Sequence, residues 1–470
     1  MPQNRTPLMD AVQQVIKKNP ISFHVPGHKH GQLFDGASLA FKQHLLQYDM
    51  TELNGLDDLH APEAAIMESQ QLLTKFYRTK ASYYLVNGST SGNLAMILAT
   101  FREGDRVLVQ RNCHKSVLNG LELVKANPVF IAPTYDETYG VPRGVNVRTV
   151  REVWKQYDDI KGIILTYPNY YGMIYELKDI IDFAHEQHVP VLVDEAHGPH
   201  FVLGSPFPKS ALQLGGDIVV HSAHKMLPAM TMGSFLHINS DRVSKERIEH
   251  FLSILQTSSP SYPIMISLEW SRLYLEQYSL EDIEYTMNMV TTFTNEIKKM
   301  DGFDILLGDD PLKLLLRAEG YSGFELQAFL EDYGIYSELA DPYQVLWIFP
   351  LLKKEHTYPL HRVIDVLARL PKKTMFKRRV NKFFIQQVTE LAVPIHQQQL
   401  ETGEWVPLKK AIGQIADGMI IPYPPGIPLL LRGERITEEI IVEIEQLLME
   451  GCHFQGSINK QNGTIRIMKV

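Results

Sequence analysis

Three lysines in this chain directly follow a histidine: His28-Lys29, His114-Lys115 and His224-Lys225. A lysine amine is a nucleophile only when unprotonated, and apolar surroundings favour that state because they disfavour the charge. Lys225 runs into Met, Leu, Pro, Ala and Met in HSAHKMLPAM. Lys29 lies in the loop-like PGHKHG, and Lys115 stands one turn into a helical stretch, where an exposed or phosphate-directed cation is more natural. Lys225 is therefore the candidate for an amine that attacks an aldehyde and forms a Schiff base. The plainer alternative is a lysine whose stem lies on apolar surface with its charge in water.

Three other fragments carry chemistry. NGSTSGN (87–93) offers Gly88 for close backbone approach, and Ser89, Thr90 and Ser91 at an expected helix N-terminus. Free amides and the helix dipole there suit a phosphate, or simply a capped turn. VLVDEAHG places Asp194 and Glu195 at the end of a buried-type strand, where a carboxylate can hold a protonated pyridine nitrogen or a metal. DEAH is also an ATPase box of RNA helicases, but that chemistry needs a G-x-x-x-x-G-K-[ST] loop, and the chain has none. In RNCHKS, His114 follows a strand and opens a helix; it could cover a flat ring or be a packed polar residue.

The elements that must position these groups alternate. ASYYLV, DRVLVQ, PVFIAP, IKGIILTYP, VPVLVDEAHG, GDIVVHSAHK and GSFLHI read as strands, separated by helical stretches such as SGNLAMILATF and ELKDIIDFAHEQH. That pattern predicts an α/β domain with a mostly parallel sheet, whose ligands sit beyond the strands' carboxyl ends. Ser89 to Ser91, His114, Asp194 to His197 and Ser222 to Lys225 all fall at such ends, which predicts one site. Three regions are expected: a loop-rich N-terminal segment (1–60), a large domain (61–295) and a smaller C-terminal domain (296–470). SLEWSRLYLEQYSLEDIEYTMNMVTTFTNEIKKM (267–300) reads as a long helical stretch, and the basic KKTMFKRRVNKFF (372–384) as a solvated helix face.

Composition is that of an ordinary globular protein. A formal charge of -8 lacks the basic footprint of nucleic-acid binding. Two distant cysteines, Cys113 and Cys452, suggest neither a disulfide framework nor a thiolate metal site, and no metal is expected. With no secretory signal and no long apolar run, a cytoplasmic protein is expected.

The order of anion-binding turn, histidine, acidic strand end and lysine resembles fold-type-I pyridoxal-phosphate enzymes. FHVPGHKHG, TELNGLDDLHAP, NGSTSGN, RNCHKS, VLVDEAHG, HSAHK, SPSY (259–262) and PYPPGIPL (422–429) more closely resemble the bacterial ornithine/lysine/arginine decarboxylase family, in family order from about residue 23 to 434. The resemblance implies an aminotransferase-like large domain with a smaller α+β C-terminal domain. It makes Lys225 the Schiff-base lysine and Asp194 the partner of the pyridine nitrogen. His114 stacks on one ring face and Ala196 packs on the other. Ser89, Thr90, Ser91, Ser222 and His224 surround the phosphate, and His197 lies near the ring's edge. Lys225, His114 and His224 form the catalytic set, with the proton donor left open between His224 and Lys225. Homodimers or dimers of dimers with shared sites are implied, with Thr257 and Ser258 as residues given to the neighbour.

The resemblance further implies decarboxylation of a basic amino acid for polyamine metabolism, arginine ahead of lysine and ornithine. An aminotransferase or lyase of the same fold, or a non-catalytic cofactor-binding relative, is the alternative. Larger family members carry an N-terminal wing domain for which motifs beginning near Phe23 leave no room, so the short class is expected. The substrate's far end needs carboxylates; Glu338 and Asp341 are candidates, with Glu52, Asp57 and Asp58, and a solvated acid or cap is the ordinary reading of each. Gln414 and Arg432 depart from the usual GRI and PGE of relatives and could alter selectivity if that segment shapes the pocket.

Overall fold

In the computed structural model, which describes residues 16–34, 38–53, 55–373, 387–398, 403–423, 427–449 and 451–469, the apolar runs form the expected strands. They are β1 (Ala81–Leu85), β2 (Arg106–Gln110), β3 (Asn127–Ile131), β4 (Ile160–Thr166), β5 (Val191–Asp194), β6 (Ile218–His221) and β7 (Ser234–Ile238). A late strand, β8 (Val388–Glu390), adds to the edge. The sheet order is β8-β3-β2-β4-β5-β6-β7-β1. Strands β3, β2, β4, β5 and β6 run parallel, while β7 and β8 run against their neighbours. Both sheet faces are covered. Val191 and Val193 enter one apolar core and Leu192 the other, which is why these strands read as continuous apolar runs.

Two element boundaries differ from the sequence reading. The helix after β1 spans Gly88–Thr100 (α1), so Ser89 and Thr90 form its first turn rather than a preceding loop. Gly88 takes a left-handed φ of 80°, which glycine adopts without strain. The stretch 267–300 is two helices, Tyr262–Glu276 and Leu280–Lys298. Ser279 caps the second reciprocally with Asp282, so the chain restarts there instead of continuing.

A smaller antiparallel sheet takes strands Phe303–Leu307, Lys313–Ala318, Val345–Ile348 and Leu339–Ala340 in that spatial order. The N-terminal strand Ile21–Phe23 pairs in parallel with Ile335–Ser337. The C-terminal region adds a sheet of Gly403–Pro407, Thr464–Met468 and Ile458–Asn459. The basic run falls outside the described residues from 374 onward. Both cysteines are buried and neither is part of a disulfide. Among the described residues, no helix is long and apolar enough to cross a membrane.

Candidate active site

The carboxyl ends of β1, β2, β4, β5 and β6 open on one cleft of about 310 Å³. Gly88, Ser89, Thr90, His114, Asp194, Ala196, His197, His224 and Lys225 all line it. At one end stands the N-terminus of α1, with its free amides and the Ser89 and Thr90 hydroxyls. Ser222, after β6, donates its hydroxyl to Ser89 Oγ at 2.6 Å and so belongs to the same corner. Ser91 does not: its hydroxyl turns back to the Gly88 carbonyl, 2.8 Å away, and the residue is buried in the helix. Spacing alone could not separate it from Ser89, because a helical turn rotates the third residue away from the opening.

Asp194 closes β5, opposite Thr166 of β4 and Val220 of β6. Its Oδ2 accepts from Asn93 Nδ2 at 2.9 Å and its Oδ1 from the Ala196 amide at 3.2 Å. Asn93 also donates to Ser116 Oγ at 2.9 Å. Ser116 meets His114 Nδ1 through both its hydroxyl, at 2.8 Å, and its amide, at 3.2 Å. Nδ1 therefore accepts and the ring's hydrogen sits on Nε2. His114 caps the helix Lys115–Val124 (α2) while facing the cleft. Burial first, then Lys225, pulls its pKa down to about 4, so the ring is neutral at pH 7. Asn93 and Ser116 were not singled out from the sequence as roles; both are ordinary helix polar residues until the strands bring Asp194 alongside.

Lys225 sits in the short helix Ala223–Met226 (α3) that follows β6. Its Nζ is 3.2 Å from His197 Nε2 and 5.4 Å from the centre of the Tyr170 ring. Burial lowers its pKa, against the pull of Asp194 and Glu338. His224 directs Nδ1 to the Gly233 carbonyl at 3.1 Å, so Nδ1 carries the hydrogen. Burial and then Lys225 take its pKa down to about 4. The FHVPGHKHG motif braces this helix: the Gly27 amide donates to the His224 carbonyl at 2.6 Å.

Lys29 lies in a loop, as its motif suggested, yet it is only 1 % exposed, donates to the His24 carbonyl at 2.8 Å, and has its pKa lowered by burial to about 7. Lys115 is exposed, as expected.

The acidic candidates lie elsewhere. Glu338 is buried behind Tyr170, accepting from the Tyr170 hydroxyl at 3.2 Å and the Val25 amide at 3.0 Å. Asp341 accepts from the amides of Tyr343 and Gln344, the Gln344 side chain and the Tyr171 hydroxyl, and holds a turn. Neither lines the cleft. Asp57 gathers the amides of Glu63, Ala64, Ile66 and Met67 at the start of the helix Ala65–Tyr77. Asp58 accepts the His60 amide, and Glu52 is exposed. Thr257 and Ser258 are exposed outside the cleft; the Thr257 amide donates to Asn87 Oδ1 at 3.2 Å. Arg432 pairs with buried Asp417 at 2.9 Å, and Gln414 is exposed, so neither departure touches the cleft.

An anion cradle, a carboxylate held by two donors, a neutral imidazole, a small alanine and an amine, gathered in one cleft, match the phosphate, ring nitrogen, ring faces and aldehyde of pyridoxal phosphate. The residues fit that group.

The family model described as Orn/Lys/Arg decarboxylase, major domain, matches residues 6–310, and its C-terminal domain counterpart matches 373–456. An uncharacterized Bacillus subtilis protein, YaaO, is 44 % identical over 96 % of both chains. An arginine decarboxylase of Halalkalibacterium halodurans is 32 % identical over 99 % of this chain and 98 % of its own. One of Bacillus subtilis is 31 % identical over 100 % and 99 %. Among solved structures, the Escherichia coli constitutive lysine decarboxylase superposes with a TM-score of 0.75 at 20 % identity, over 99 % of this chain and 82 % of that one. A serine palmitoyltransferase of Sphingomonas wittichii superposes at 0.58 and 17 % identity, over 74 % and 86 %, which supports the shared fold.

Proposed function

The chain belongs to the Orn/Lys/Arg decarboxylase family, and on that premise we propose that it removes the α-carboxylate of a basic amino acid, arginine first, with pyridoxal phosphate held at Lys225. The observation that carries this reading is the half-buried Lys225, its amine sharing one cleft with Asp194 and the N-terminus of α1. Arginine leads because relatives named arginine decarboxylase match end to end at 31–32 % identity, while the lysine decarboxylases of Escherichia coli match at 24 % or less.

Lys225 would hold the aldehyde, Asp194 the ring nitrogen, His114 and Ala196 the two ring faces, and Ser89, Thr90 and Ser222 the phosphate. When bound, that group supplies an electron sink for the carbon that loses CO2. The chain's own residues do the rest. Asp194, held in place by the Asn93 and Ala196 donors, favours a proton on a nitrogen opposite it. His114, fixed by Ser116, limits tilt of a flat ring and so holds the scissile bond's orientation. His224 has its one hydrogen on Nδ1, committed to Gly233, and is neutral at pH 7. Lys225 is therefore the better-placed proton donor to the substrate carbon.

Glu338 serves in this reading as the counter-charge to the buried amines rather than as a substrate ligand, since its oxygens are engaged and lie outside the cleft. The working form is a cytoplasmic homodimer, or a dimer of dimers, in which exposed Thr257 and Ser258 face the partner.

The test is an incubation of the purified protein and pyridoxal phosphate with arginine, lysine or ornithine, following CO2 and amine. Agmatine from arginine is expected to form fastest, and Lys225→Ala is expected to lower its rate by at least 10³-fold, on the order of other covalent-catalysis losses. No CO2 from any of the three, or undiminished release by Lys225→Ala, overturns the reading.

A further inference from the structure

Behind the cleft lies a buried lysine that no motif singled out. Lys313 opens the strand Lys313–Ala318 and is wholly buried. Its Nζ is 3.0 Å from His197 Nδ1, while Nζ of Lys225 is 3.2 Å from His197 Nε2. One imidazole thus separates two lysine amines, and that fixes a proton count. A neutral ring has one N–H and one lone pair. Only one of its nitrogens can accept from an ammonium; the other donates, and the amine opposite must then offer a lone pair. Two ammonium groups cannot both be satisfied, so the three groups share at most one excess proton.

We propose that Lys313 is a positioning residue that acts through His197 as the proton partner of Lys225. In one state the Lys225 ammonium donates to Nε2, and Nδ1–H donates to the uncharged Lys313 amine. In the other, Lys225 has given a proton to Nε2 as Nδ1 has given its own to Lys313. One N–H bond breaks and one forms at each of the two transfers, and no proton leaves the site. Lys225 is left a free base without passing its proton to solvent, and the reverse transfer recharges it as a donor. The inference rests on Lys225 being the reactive amine of the proposed function.

The surroundings suit a charge at either end. Lys225 is faced by Asp194 and Glu338, and Lys313 by Asp310 and Glu338. His114 and His224 flank the Lys225 side; Lys29 lies near Lys313, and His200 stands 3.2 Å from Asp310. Burial lowers both amines, Lys313 to about 8, and holds His197 well below the usual histidine range, so the ring relays rather than stores the proton.

The experiment is competitive labelling of the full-length, cofactor-free chain with trace acetic anhydride across pH values of about 6 to 10, reading Lys225 by peptide mass. Lys313→Met removes the internal acceptor and should raise the Lys225 midpoint by about one pH unit, a tenfold slower labelling on the acid side. Lys313→Arg, always charged, holds Nδ1 as an acceptor and Nε2–H toward Lys225; it should lower the midpoint by a similar amount. Opposite shifts support the relay. Shifts in the same direction, or no shift in either variant, overturn it. If only one variant folds by circular dichroism, its direction alone decides. The unmutated chain adds a further measurement: 15N spectra should show His197 uncharged at about pH 6, and a charged ring there overturns the relay. Labelling is read without substrate, so it fails or succeeds independently of the decarboxylation assay.

Discussion

Asn93 fastens two groups at once. Its amide nitrogen reaches both Asp194 Oδ2 and Ser116 Oγ, and Ser116 fixes His114. Asn93→Ala leaves a buried carboxylate oxygen without its donor and releases the histidine that covers the cleft. An unsatisfied buried group costs about 1–3 kcal/mol, so affinity for pyridoxal phosphate should fall about tenfold or more, measured by fluorescence titration of the variant. Wild-type affinity with an unchanged turnover number would remove Asn93 from the positioning set. Lys225, His114, Asp194, Ala196, His197 and His224 were legible as one site because each follows a strand in a motif of recognisable order. Asn93, Lys313 and the burial of Lys29 were not legible. Each depends on what another segment brings alongside: Lys313 comes from a strand more than a hundred residues beyond His197, and a lysine's type argues for exposure until a partner is seen.

Among the elements, the strands bordering the site are pinned by a chain of side chains. Glu195, after β5, meets His221 Nε2 of β6 at 2.7 Å, and His221 Nδ1 meets His237 Nε2 of β7 at 3.1 Å. His237 Nδ1 in turn meets the Ser82 hydroxyl of β1 at 2.7 Å. This accounts for Glu195, which points away from the cleft into that network, while neighbouring Asp194 lines the cleft. On the other side, α3 is braced by Gly27. A Cβ there would stand 2.5 Å from the Leu227 carbonyl oxygen and 2.7 Å from the Met226 carbonyl carbon, both rigid backbone. Gly27→Ala must push α3 or the N-terminal strand aside, a strain of about 1–3 kcal/mol. The urea midpoint should fall modestly, while kcat falls about 10²-fold through misplacement of Lys225 by about an ångström. Equal activity in the variant would show that the brace does not govern the lysine. The strands themselves were readable from β-branched runs; the start of α1 and the break at Ser279 were not, because serine and threonine serve equally as caps, turns and first-turn residues.

At the scale of the molecule, distant segments close on the site. Arg111, just after β2, donates to the Pro428 and Leu429 carbonyls and pairs with Glu434 at 3.0 Å, tying the C-terminal region to the large sheet. Ile427 from that region lines the cleft. The pairing of Ile21–Phe23 with Ile335–Ser337 and the return of β8 were beyond sequence periodicity, which reports local faces and not which distant strands meet. Closing so many segments buries amines, and that sets the pH dependence of stability. Burial pulls Lys29 to about 7 and Lys313 to about 8. Unfolding returns both to water, where they bind protons up to about pH 10.5. Between about pH 8 and 10 these two lysines alone give the unfolded chain up to about two more protons, and stability rises with pH by up to about 2.7 kcal/mol per unit from them. At the acid end, His114 and His224 remain uncharged in the folded state down to about 4. Their unfolded forms take up protons below about 6.5, so stability falls as pH falls from about 6.5 to 4. Above about pH 10 the buried tyrosines, among them Tyr84 and Tyr171, whose ionisation burial pushes up, reverse the slope as the unfolded chain loses their protons first. Urea midpoints of the cofactor-free chain should thus climb from pH 7 to 9. A flat or falling midpoint over that range would mean that these amines stay charged in the fold, each then needing a stronger carboxylate partner than Glu338 and Asp310 provide. Lys313→Met should flatten the climb, since it removes one of the amines that unfolding recharges.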